Sequence, residues 1–127
     1  MKKSYKALIL VLALIISAGA IFLFNADSNY EDSYLKKVEP QFVCMINNKL
    51  FDNEQILVEV DGKNYYGCCP MCKAKLEGSE QARTAIDPVS GKKVDKADSV
   101  IGADASGKTY YFENESNLME YNPDRKS

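Results

Sequence analysis

The residues of this chain best equipped for chemistry are its four cysteines. Cys44 stands in Val43-Cys44-Met45, and further on the chain reads Tyr66-Gly67-Cys68-Cys69-Pro70-Met71-Cys72, giving the spacings C-x23-C and C-x3-C with Cys69 as a fourth thiol. Histidine is absent, which removes Ser-His-Asp and Cys-His catalysis and every zinc site built on imidazole. Cys68 is expected at a strand end and Cys72 about one turn into the following helix, so their side chains converge at a helix N-terminus. There the free N–H groups and the positive end of the helix dipole favour thiolates. Cys44, brought in from an earlier loop, completes a three-sulfur site.

Three thiolates suit a soft ion: Cu(I) accepts two or three sulfurs, whereas Zn2+ wants a fourth ligand, which Cys69 can provide. Met45 and Met71 lie beside the cysteines and offer thioether sulfur, although an unbranched apolar side chain is explained more simply by core filling. Two other readings stay open. The cysteine number is even, which allows structural disulfides in an oxidising compartment, the pairing of Cys68 with Cys69 being disfavoured by ring strain. Cys69 and Cys72 also form a CxxC pair, which keeps thiol redox chemistry in play, although the unit around them is too short for a thioredoxin-like sheet.

The elements that must position these thiols are legible on either side of them. Ile56-Leu57-Val58-Glu59-Val60, then Asp61-Gly62, then Lys63 to Gly67 is a hairpin signal, because Asp-Gly supplies the positive φ values of a type I′ turn. Pro70 fits a first helical position, so a helix is predicted from Pro70 to Glu77, stopping near Gly78. Gly62-Lys63-Asn64-Tyr65-Tyr66 recurs 45 residues later as Gly107-Lys108-Thr109-Tyr110-Tyr111. Around that second copy, Ser99 to Ala103 reads as a strand and Asp104 to Gly107 as a longer turn. Asn114 is a candidate N-cap for a short helix from Glu115 that ends before Pro123. The pattern is two ββα units, in which Tyr65, Tyr66, Tyr110 and Tyr111 pack helix against hairpin.

Gly62-Lys63-x-Tyr65-Tyr66-x-Cys68-x-x-x-Cys72-Lys73, preceded at a distance by Cys44, resembles the TRASH and YHS metal-binding domain family. The resemblance implies small treble-clef-like modules associated with heavy-metal sensing, transport and resistance, with Cys44, Cys68 and Cys72 as the ligands. A second YHS-like stretch runs through Asp87-Pro88-Val89-Ser90-Gly91-Lys92-Lys93 and on to Gly107-Lys108-Thr109-Tyr110-Tyr111-Phe112. Ser90 stands where that family commonly has cysteine, and Glu113 and Asn117 take the places of Cys68 and Cys72. The second unit therefore reads as degenerate, a structural partner for the first.

The whole chain has 127 residues, 46% hydrophobic and 27% charged, as in a folded soluble domain. Its formal net charge of −2 includes Lys2, Lys3 and Lys6, so the remainder is more acidic still, and nucleic acid is not an expected partner. Residues 7–24 form 18 consecutive uncharged, mostly apolar positions, a helix of about 27 Å. With lysines before it and Asp27, Glu31 and Asp32 after it, this segment is expected to anchor the chain in a membrane with the domain outside, periplasmic or at the cell surface. Ala18 and Ala20 keep a cleaved signal peptide and a secreted product as the alternative.

The expected architecture is thus α+β: a signal anchor over residues 1–25, a tether over 26–40, a TRASH/YHS-like metal-binding unit over 41–84, a degenerate unit over 85–122 and a tail over 123–127. The expected function is soft-metal handling, with Cu(I) or Zn2+ held by Cys44, Cys68, Cys72 and Cys69 and exchanged with a transporter or efflux component. No catalytic residue is assigned.

Overall fold

The computed structural model describes residues 33–125. The anchor expected over residues 1–25 lies outside them. Among the described residues, no helix is long and apolar enough to cross a membrane. The described part is mixed α+β, built from short antiparallel pairings and two helices.

Each half opens with a small hairpin. In the first half β2 (Val43–Cys44) pairs with β3 (Lys49–Leu50), and in the second β6 (Thr84–Ile86) pairs with β7 (Lys93–Asp95). A longer hairpin follows: β4 (Ile56–Val60) with β5 (Lys63–Gly67), and β8 (Val100–Ala103) with β9 (Thr109–Phe112). Helix α1 (Pro70–Gly78) closes the first half and α2 (Glu115–Glu120) the second. The turn of the first long hairpin has φ values of 52° at Asp61 and 75° at Gly62, as its Asp-Gly sequence demands. Pro70 sits in the first turn of α1, and the Asn114 side chain accepts the Asn117 N–H to cap α2.

The two halves share one core. Val43, Met45, Val58, Tyr65 and Leu76 of the first half pack with Ile101 and Tyr111 of the second, and all are buried. Polar contacts cross in both directions. The Tyr65 hydroxyl donates to Asp95 at 2.9 Å, while the Tyr111 hydroxyl donates to Asn48 Oδ1 at 3.0 Å. Tyr65 and Tyr111 are thus core residues with a polar tip, Tyr66 packs against the same core, and Tyr110 packs on a second cluster.

Of the segment expected as a tether over residues 26–40, the described part from residue 33 on packs against the domain. Leu35 is fully buried with Phe112 and Leu118, and β1 (Lys36–Lys37) adds an edge strand to β8. The room comes from Gly102, where a Cβ would stand 3.1 Å from side-chain atoms of both Leu35 and Leu118. Leu35 on this cluster and Val38 on the first core dock the segment, and so few apolar side chains in a polar stretch leave no periodicity to read.

Candidate metal centre

The four thiols meet where the first small hairpin abuts the start of α1. Cys44 ends β2, Cys68 and Cys69 follow β5, and Cys72 lies in the first turn of α1. Helix and strand come this close because Gly67 has no side chain: a Cβ there would sit 2.9 Å from Cys72 Cβ. The Met45 N–H, donated to the Tyr66 carbonyl at 2.8 Å, ties the small hairpin to the end of β5.

The sulfurs of Cys44, Cys68 and Cys72 all lie within 4.8 Å of one another. Cys44 Sγ is 3.9 Å from Cys72 Sγ, and Cys68 Sγ is 3.7 Å from it. A tetrahedral ion with sulfurs at about 2.3 Å sets them about 3.8 Å apart, so the spacing matches a soft-ion site. Cys44 and Cys72 are buried and Cys68 is exposed, so the group is walled by protein on one side and open on the other. Cys69 stands beside this group, its sulfur 3.4 Å from Cys72 Sγ. All four cysteines are free thiols. Met45 is fully buried in the core, as a filling side chain, while Met71 is 71% exposed beside the cysteines.

Protonation differs among the thiols. Burial pushes Cys44 up, but N–H groups of Asn47, Ile46 and Cys68 bring it below the ordinary thiol value. Cys69 is lowered by the Cys72 N–H and side chain. Burial, then the neighbouring thiols, raise Cys72 to about 12. Hydrogen bonding with the Cys44 side chain raises Cys68, and burial adds to it. Metal binding at this group must displace protons, Cys72 holding its own most tightly.

Sequence reasoning missed Asn47. Its N–H reaches Cys44 Sγ at 3.5 Å and its Nδ2 reaches Cys68 Sγ at 3.3 Å, so it bridges two of the three sulfurs. The available signal was Asn47-Asn48, a turn pair three residues after Cys44. Lys96 was missed as well. It is 6% exposed, burial pulls its ammonium down to about 8, and charge on Cys44 acts in the opposite sense. Nothing in the sequence around Lys96 separates it from the exposed lysines Lys92 and Lys93.

The second half repeats the geometry with different atoms. Its small hairpin matches the first at an offset of 43, Val43 opposite Leu50 corresponding to Ile86 opposite Lys93, and positive φ at Asn48 to positive φ at Gly91. On that register Asp87, not Ser90, occupies the place of Cys44, which corrects the expected alignment. Asp87 is fully buried. Its Oδ1 accepts the N–H groups of Val89 and Ser90, at 2.7 and 3.1 Å. Its Oδ2 accepts the Glu113 N–H and Asn117 Nδ2, both at 2.8 Å. Burial raises the Asp87 carboxyl, and these donors, Asn117 first, bring it below the usual range. Glu113 and Asn117 do stand at the positions of Cys68 and Cys72, but the Glu113 side chain faces Lys92 at 3.7 Å. Hydrogen bonds thus do in the second half what a bound ion can do in the first.

Set against protein-family models, curated proteins and solved structures, the chain matches none.

Proposed function

We propose that this chain is a membrane-anchored, extracytoplasmic carrier that holds one soft metal ion through Cys44, Cys68 and Cys72 and exchanges it with a transporter or efflux component. The observation that carries the reading is the convergence of these three sulfurs, two buried and one exposed. Buried ligands retain an ion, and an exposed thiolate is where an incoming partner thiol can begin ligand exchange. The donor set is all sulfur, which favours Cu(I), while Cys69, 3.4 Å from Cys72, is the further ligand that Zn2+ would use. A small hairpin, a long hairpin and a helix carrying thiols at its start fit a treble-clef-like module of the TRASH and YHS kind. The apolar run at residues 7–24 supports membrane attachment. Nothing in the reading requires catalysis or nucleic acid.

The runner-up is a thiol-disulfide protein using Cys69 and Cys72, favoured by their 3.4 Å approach and by the lowered Cys69 thiol. A paired measurement on Cys69→Ser in the reduced full chain separates the two. A carrier keeps Cu(I) affinity against a chromophoric chelator and shows no insulin-disulfide reduction in either form. Reductase activity in the wild type that vanishes in the variant would establish the redox reading instead.

A further inference from the structure

The second half contributes no sulfur, yet it sends a charged side chain against the hairpin that carries Cys44. Lys96 follows β7 and is 6% exposed. Its Nζ donates to the Met45 carbonyl at 2.5 Å and to Asn48 Oδ1 at 3.3 Å, and lies 5.1 Å from the centre of the Tyr111 ring. These partners are neutral. No carboxylate of the described residues forms an ion pair with Lys96. An ammonium held out of water without a counter-charge is unfavourable, and an anion forming beside it relieves that cost. Met45 adjoins Cys44, and charge on the Cys44 thiol favours the Lys96 ammonium, so the thiolate group is a place beside Lys96 where negative charge can form.

We propose that Lys96 is the counter-charge of the thiolate centre, a positioning residue that favours the anionic, metal-loaded state. The inference rests on the metal reading above. Loading exchanges three thiol protons for one ion. The complex carries two negative charges with Cu(I) on three thiolates, and also two with Zn2+ once Cys69 gives up its proton as the fourth ligand. A fixed positive charge nearby stabilises either anionic complex over the protonated, empty site. This assigns the second half a role beyond packing: it supplies charge to a site whose ligands all lie in the first.

The test uses the reduced full chain, with Cu(I) and Zn2+ each titrated in competition with a chromophoric chelator. Lys96→Gln keeps a hydrogen-bond donor and removes the charge, whereas Lys96→Arg keeps the charge. At about tenfold per negative charge, Lys96→Gln should weaken both ions about a hundredfold, and Lys96→Arg should restore most of the loss for both. Lys96→Met replaces a buried charge with an apolar side chain of similar length, and it carries the same expectation if the glutamine variant does not fold. Losses that Lys96→Arg does not restore would show that Lys96 only clamps the hairpin, and unchanged affinities would show no role; either overturns the proposal. A wild type that binds neither ion would instead overturn the metal reading itself.

Discussion

Cys72 is the thiol on which the centre turns, since the sulfurs of Cys44, Cys68 and Cys69 all lie within 3.9 Å of its own. Cys72→Ser should therefore abolish tight Cu(I) binding, whereas Cys69→Ser should cost little; chelator competition on both variants checks the contrast. The cysteine spacing alone brought out Cys44, Cys68 and Cys72, because thiols are rare enough to be noticed and a C-x3-C step at a helix start has few geometries. Asp87 went unnoticed for the opposite reason. Acidic residues are common, and the copy of the site differs from the original at each corresponding position, so only the backbone register exposes the match. Asp87→Ala should destabilise the fold by about 3 kcal/mol, since four donors lose a buried acceptor, and denaturant unfolding would measure it. The carboxyl is held below its ordinary range in the folded state, so its stabilising contribution is present above about pH 4, the unfolded value, and is lost as pH falls through the folded value. Unfolding curves of wild type and Asp87→Asn should converge as the medium is acidified.

The elements that were legible are those with local chemistry. Asp61-Gly62 dictates a turn, Pro70 begins a helix and Asn114 caps one, each through a backbone requirement that few other residues meet. The small hairpins β2–β3 and β6–β7 were not legible, because strands of two or three residues are too short to show alternation. They nonetheless hold Cys44 and Asp87. β1 escaped notice because a two-residue strand is too short to show alternation, and Leu35 before it and Val38 after it pack on different clusters. The close approach of β5 to α1 makes a prediction at this scale. Gly67→Ala introduces a Cβ 2.9 Å from Cys72 Cβ, and neither a strand end nor a helix turn yields easily. The expected result is a destabilisation of about 1–3 kcal/mol together with a weakened metal centre. Thermal unfolding and chelator competition on the same variant measure the two effects, and an unchanged metal affinity would mean that the helix moves without disturbing its thiol.

Across the whole molecule the repeat is unequal by design of its contacts: one half carries the thiols, the other a hydrogen-bonded replica, and the two share a core and exchange tyrosine and lysine contacts. Sequence similarity at an offset of 45 revealed the repetition, but the shared core depends on Ile101 and Tyr111 reaching the first half, which no periodicity within one half encodes. Removing residues 86–127 should therefore cost the first half its cooperative unfolding, as followed by circular dichroism, since fewer than about 60 residues bury too little apolar surface alone. A truncated chain that unfolds cooperatively would contradict the shared-core account. The function proposed for this chain requires an ion at the three sulfurs. Its most direct measurement is a Cu(I) titration of the reduced full chain, followed by thiolate-to-metal absorption, beside the same titration of Cys72→Ser. The prediction is about one equivalent bound by the wild type, with affinity falling at low pH as protons compete for sulfur, and no tight binding by the variant. Absence of binding in the wild type, or an unchanged stoichiometry in Cys72→Ser, would contradict it.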